Sequence, residues 1–140
     1  IFVSVLIISI ALGSLYGFIK QKSEVSNMIS YTEALELSKQ NNKPILIDFS
    51  AVWCANCYEL KEKVFVNEEL KKFIYDNLIF TEVDVDKYKN ISDEYNVKWL
   101  PWIIIIDSYK NILYTKNSFS SFDDDMALSI KEDLEKIINK

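Results

Sequence analysis

Histidine and arginine are both missing from this 140-residue chain, so all 16 of its cationic side chains are lysines. Without imidazole, hydrolase triads, most catalytic zinc sites and histidine-ligated haem are excluded. Glycine is almost absent as well. The two glycines, Gly13 and Gly17, fall in one apolar N-terminal stretch. The remainder must therefore turn on Asn, Asp, Ser and Pro, and glycine-rich phosphate loops are ruled out. A formal net charge of -5 leaves no basic excess with which to grip a nucleic-acid backbone. Any chemistry has to draw on sulfur, carboxylates and the backbone.

The chain is 49% hydrophobic and 14% aromatic, enough for one core in one domain. Residues 1–19 read IFVSVLIISIALGSLYGFI, with no charge before Lys20. As a helix this run would cover about 28 Å, close to the hydrocarbon thickness of a bilayer. A transmembrane helix or signal anchor is expected over residues 1–19. The alternative is a cleaved secretory signal, for which Ala11-Leu12-Gly13 offers a small-x-small site. Lys20 and Lys22 lie on the C-terminal flank, which the positive-inside rule alone would keep cytoplasmic. Residues 20–29 read as a polar linker and residues 30–140 as the globular domain.

Within that domain, Ser30-Tyr31-Thr32-Glu33 has the spacing of a capping box and opens a helix to about Gln40. Asn41-Asn42-Lys43-Pro44 ends it, and Ile45-Leu46-Ile47-Asp48-Phe49 suits a central strand. Helical composition returns from Cys54 to Phe65, and Asn67-Glu68-Glu69 marks a fresh helix start. A second strand is expected from Leu78 to Val85, a short helix from Asp86 to Tyr95 and a third strand from Ile103 to Ile106. Ile112 to Thr115 would pair with that strand across the turn from Asp107 to Asn111. Ala127, Ile130, Leu134 and Ile137 recur at helical spacing in a closing amphipathic helix. The acidic run Asp123-Asp124-Asp125 fits its first turn. The order predicts an α/β fold, a mixed sheet covered by helices on both faces.

The two cysteines stand in Trp53-Cys54-Ala55-Asn56-Cys57, where the first strand gives way to a helix. Taken alone, such a pair is compatible with small buried hydrophobes, with half of a zinc site shared between chains, or with a redox switch. The strand-to-helix context favours the switch, because two thiols this close join and separate with little movement of the fold. At the first helical turn, free N–H groups stabilise a Cys54 thiolate, while Cys57 is directed inward one turn later. Cys54 then attacks and Cys57 resolves. Asp48, in an apolar strand just before the motif, would be raised in pKa by burial and accept a proton from Cys57; the alternative is a carboxylate at a turn or edge, facing water. Pro101 ahead of a buried strand marks a constrained turn. Trp99 and Trp102 flank it, either as packing or as an aromatic surface for a partner polypeptide beside Cys54.

With Asp48-Phe49-Ser50-Ala51-Val52-Trp53-Cys54-Ala55-Asn56-Cys57, then Val83-Asp84-Val85-Asp86, then Asn96-Val97 leading to Leu100-Pro101, the chain resembles the thioredoxin superfamily from about residue 30 onward. The helix Glu59-Leu60-Lys61-Glu62-Lys63-Val64-Phe65 and Asn67-Glu68-Glu69-Leu70 look most like the C-terminal domain of DsbD-type thiol:disulfide interchange proteins. The resemblance implies a thioredoxin fold, Cys54 as nucleophile, Cys57 as resolving thiol, Asp48 as buried acid and Pro101 as a cis-proline. It places Trp53, Leu100, Pro101 and Trp102 at the substrate. Trp102 stands where the family usually has a small hydroxyl residue. Ala55 and Asn56 supply no charge where oxidising members carry a histidine, which points to a reductant.

The expected function is a membrane-tethered thiol–disulfide reductase or electron relay acting on extracytoplasmic protein disulfides. Its partners would be protein dithiols and disulfides with a membrane electron donor, and its domain would lie in a bacterial periplasm or on the outer face of the inner membrane. No cofactor beyond the Cys54–Cys57 disulfide and no metal are called for. The competing readings are an anchored reductase for apocytochrome c maturation and a redox-silent thioredoxin-fold module that organises a membrane complex.

Overall fold

A computed structural model describes residues 28–139. The run over residues 1–19 and most of the expected linker lie outside the described residues; among those described, no helix is long and apolar enough to cross a membrane. The domain is built from α1 (Tyr31–Asn41), β1 (Ile45–Ser50), α2 (Ala55–Glu59), a π turn (Leu60–Val64), α3 (Glu68–Asn77) and β2 (Ile79–Asp84). It continues through α4 (Lys89–Glu94), β3 (Trp102–Ile106), β4 (Ile112–Lys116) and α5 (Asp124–Ile138).

The sheet order is β2-β1-β3-β4, with β1 parallel to β2 and antiparallel to β3, and β3 antiparallel to β4. It is the mixed sheet expected from the order of elements. β1 is central and buried along its whole length, which is why it reads as an almost unbroken apolar run. Side chains alternate between its faces. Ile45, Ile47 and Phe49 join Ile79, Val83, Trp102, Ile104 and Ile106 beneath α1 and α4. Leu46, Ile103 and Ile105 meet Leu60, Val64, Leu70, Ile130 and Leu134 on the opposite face, beneath α2, the π turn, α3 and α5. Asp48 belongs by parity to this second face, the one that carries the cysteine helix.

Helix ends explain the boundaries. Ser30 Oγ accepts from the Glu33 N–H at 3.2 Å, Asn67 Oδ1 accepts from Glu69 and Leu70, and Asp123 Oδ1 accepts from Met126 at 3.0 Å. Each removes an orphan donor from a first turn. Asn67 also donates to Asp124 Oδ1 at 2.7 Å and so ties the start of α3 to the start of α5. The helix expected from Cys54 to Phe65 is present but changes pitch, because Phe65 N–H reaches back to Leu60 C=O. The wider turn brings Leu60, Val64 and Phe65 all onto the sheet, where Phe65 packs edge-on against Phe80.

The want of glycine is met by other residues in left-handed conformations: Asn42, Asn96 and Lys110 have φ of 53°, 53° and 69°. Asn tolerates that region better than other side chains. At Asn96 the N–H groups of Asn96 and Val97 bond back to Asp93 and Ser92, closing α4 in a Schellman turn. That turn aims residues 97–101 back toward the cysteines. Asn96→Ala, which sets a Cβ against the following carbonyl, is expected to lower stability by about 1 kcal/mol, while Asn96→Gly keeps it. Urea midpoints of the two variants check this; equal losses in both would contradict it.

Candidate active site

β1 ends at Ser50, and a turn closed by Cys54 N–H on Ala51 C=O at 3.1 Å delivers Cys54 to the N-cap of α2. Its sulfur accepts from the Cys57 N–H at 3.1 Å. A charge that forms on this sulfur meets a backbone donor at once, so the position favours a thiolate. The two sulfurs are bonded to one another, with Cα atoms 5.3 Å apart. A single turn of helix brings them within reach, which is the geometry expected of a switchable pair. Cys54 is 7% exposed and Cys57 1%. Attack from outside can therefore be made only at Cys54.

Ala51, Val85 and Leu100 pack against the cysteine pair. The Leu100–Pro101 bond is cis and Pro101 is buried, and Leu100 brings this loop against the disulfide. Trp53 is 68% exposed, its ring fixed by Nε1 donating to Asp86 Oδ2 at 2.8 Å. Trp102 is placed differently from the rest of the expected substrate surface: it is buried among Phe49, Tyr95 and Ile104 on the face of the sheet away from α2. Its ring lies 5.0 Å from that of Trp99, which is exposed and held by Nε1 donating to Asn117 C=O at 3.0 Å. Trp102 supports the indole that reaches solvent. A cleft of about 290 Å³ runs between Trp53 and Trp99, with Val97 and Leu100 in its lining.

Asp48 is fully buried, and neither carboxyl oxygen has a hydrogen-bond partner. Burial, with a smaller push from the negative charge of Glu82, raises its pKa to about 8, against an opposing pull from Lys61. The neutral acid therefore dominates at pH 7 in the disulfide form. A water-facing carboxylate, the other reading of this residue, is not what the fold builds.

Lys61 and Glu82 were not among the residues the sequence singled out. Glu82 is the strand partner of Asp48 across the β1–β2 pair, and Lys61 lies four residues after Cys57. Their side chains meet at 2.6 Å and line a cleft of about 250 Å³ together with Ser50, Cys54, Cys57 and Tyr58. The four-residue spacing put Lys61 on the Cys57 face of the helix. Strand register, which a lone sequence does not disclose, puts Glu82 there.

Comparison with known proteins agrees with this geometry. A family model described as a thioredoxin-like domain matches residues 31–115. Thioredoxin H8 of Arabidopsis thaliana is 30% identical over 118 residues, which cover 84% of this chain and 69% of that protein. The disulfide bond reductase DsbH of Chlamydia pneumoniae is 32% identical over 56% of this chain, and the match spans 55% of its own length. A solved structure of a DsbH oxidoreductase superposes with a TM-score of 0.69 at 21% identity, covering 86% of this chain and 98% of that one. These likenesses support the superfamily as a whole rather than the DsbD C-terminal domain in particular.

The raised pKa of Asp48 makes the stability of the disulfide form depend on pH. The unfolded chain binds this proton only below about pH 3.8 and the folded one up to about pH 8. Stabilisation from the neutral acid is whole below the first value, shrinks across the interval and is lost above the second. Asp48→Asn is expected to flatten that slope and, at pH 8, to unfold at higher urea by an amount on the order of a few kcal/mol. Urea titrations of both oxidised proteins from acid to alkaline pH test this, and parallel slopes would contradict it.

Proposed function

The chain belongs to the thioredoxin-like family and is a thiol–disulfide oxidoreductase acting on protein dithiols and disulfides, and on that premise we propose that it is a membrane-tethered reductase, or electron relay, for extracytoplasmic protein disulfides. The observation that carries the chemistry is the stack of an attackable Cys54, a hidden Cys57 and a buried, unpartnered Asp48. The cycle starts with a Cys54 thiolate, a Cys57 thiol and an ionised Asp48. Cys54 attacks one sulfur of the target disulfide, joins to it and expels the other sulfur as a thiolate. Cys57 then passes its proton to Asp48 and attacks Cys54. The Cys54–Cys57 bond forms as the bond to the target breaks, and the second target sulfur leaves as a thiolate. Two electrons have moved to the target, and the proton of Cys57 now rests on Asp48. Re-reduction by a membrane donor returns that proton to Cys57.

The cleft between Trp53 and Trp99 receives the target polypeptide, with Leu100 and Pro101 alongside the reacting sulfurs and Trp102 holding Trp99 from below. The uncharged Ala55 and Asn56 favour the reducing direction, since nothing between the cysteines adds cationic stabilisation to the thiolate. The name of the DsbH relative, a disulfide bond reductase, supports the same direction. The charge-free run over residues 1–19 supports the tether; the side proposed for the domain, a bacterial periplasm or the outer face of the inner membrane, runs against Lys20 and Lys22, which the positive-inside rule alone would keep cytoplasmic.

Cys57→Ser is expected to accumulate a mixed disulfide with a protein target, whereas Cys54→Ser abolishes both trapping and reduction of insulin disulfides. Non-reducing electrophoresis reads the first outcome and turbidity the second; reduction surviving in Cys54→Ser would overturn the assignment. An alkaline phosphatase fused after Lys140 should be active in bacteria, as the enzyme is only when exported. An inactive fusion would place the domain in the cytoplasm.

A further inference from the structure

Met28, the first of the described residues, lines a cleft of about 500 Å³ together with Lys87 and Tyr88 of the β2–α4 loop. Asp86 of the same loop holds the indole of Trp53. The chain therefore enters the domain at the end that carries the sulfurs. In sequence, eight residues separate Met28 from the charge-free run over residues 1–19. Fully extended, they reach about 30 Å. A domain of this size, with a radius of gyration of about 13 Å, is at least that wide, so a short tether keeps the sulfur-bearing end close to the bilayer.

That end is also apolar where it meets solvent. Val52 and Tyr58 stand exposed on one side of Cys54, Trp53 and Trp99 on the other, and Tyr88 beside Met28. Val52 is 94% exposed, so packing within the domain does not account for it. The indole N–H groups are already bonded, to Asp86 and to Asn117 C=O, and both rings can leave water without stranding a donor. Charges nearby are balanced: the cleft between the indoles is lined by Asp86 and Asp93 and by Lys89 and Lys98. Lys89 pairs with Asp93 at 2.8 Å, and the Lys87 ammonium lies 5.3 Å from the centre of the Tyr88 ring. Trp, Tyr and Lys are the side chains that settle at a membrane–water boundary.

We propose that the rim around Cys54 rests on the lipid–water interface of the bilayer that holds the tether, so that the dithiol meets disulfides displayed at that surface. This rests on the reading of residues 1–19 as a membrane span. Because the charges of the rim cancel locally, its aromatic and aliphatic groups supply the adhesion, and zwitterionic lipid suffices. A target held at the same surface displaces lipid from the indoles as it enters the cleft.

The test uses the full, oxidised chain in vesicles of phosphatidylcholine brominated near the headgroup end of the acyl chains, with unbrominated vesicles as the reference. The readout is tryptophan emission. The three indoles of the chain are Trp53, Trp99 and Trp102, with none in residues 1–19. In Trp53→Phe and in Trp99→Phe, the remaining exposed indole is expected to lose about half of its emission to bromine. The double variant, which keeps only the buried Trp102, should be left almost unquenched. Val52→Glu, which sets a charge on the rim, should weaken quenching, and raised ionic strength should leave it unchanged. Absence of quenching in either single variant would overturn the proposal. So would a blue shift without quenching that grows with the ratio of protein to lipid, which would assign the rim to a second copy of the chain. A wash in alkaline carbonate separates the proposal from its premise. Protein that washes off the vesicles removes the tether and this inference with it; protein that stays embedded with unquenched indoles removes this inference alone.

Discussion

A carboxyl group enclosed in the sheet without a hydrogen-bond partner is a standing cost, and in this domain the arrangement of the active site follows from it. Asp48 occupies a strand buried on both faces, between Ile47 and Phe49. Desolvation makes the charged form expensive, so the group holds its proton at pH values where an exposed carboxylate has long lost it. A residue in that state can take up and return a proton close to neutral pH. In the proposed cycle Cys57, on the helix that packs over the same face of the sheet, needs such a group, because a thiol must lose its proton to attack and regain it when the disulfide is reduced.

The remaining features place reactants around that acid. The N-cap position exposes Cys54 sulfur to a backbone donor and to solvent, while the same helix turns Cys57 inward. The division of labour between two chemically identical side chains is thus a matter of which end of one helical turn each occupies. The cis peptide before Pro101 and the closing turn at Asn96 bring Leu100 against the cysteines, and the hydrogen bonds of Trp53 and Trp99 hold two indoles rigidly at the rim. Rigid aromatic walls lose little entropy when a polypeptide settles between them.

Most of the fold could be read from the residues themselves. Ile45 to Phe49 has the unbroken apolar character of a central strand, Ser30, Asn67 and Asp123 announce helix starts by their side-chain chemistry, and the last helix shows its period plainly. Cys54 and Cys57 stood out as the two cysteines of the chain, and Asp48 as a charged residue inside an apolar strand just before them. What stayed hidden depends on pairings between distant segments. Glu82 in isolation is one more charged residue on an alternating strand; only the register of β1 against β2 sets it opposite Asp48. Trp102 carried the opposite difficulty, since an aromatic beside a loop proline looks equally suited to surface and core. The parity of β3 sends it to the face packed by α1 and α4, leaving Trp99 as the exposed ring. The π turn after Glu59 has no compositional signature, because it keeps the same residue types and alters only their pitch.

The central claim is that the fold poises this dithiol to donate electrons, and its equilibrium potential addresses that most directly. Equilibrating the protein with graded glutathione or dithiothreitol buffers and alkylating the free thiols gives that potential. The account predicts a value near that of thioredoxin, roughly −270 mV. A value near −120 mV, the range of strongly oxidising members of the fold, would contradict it.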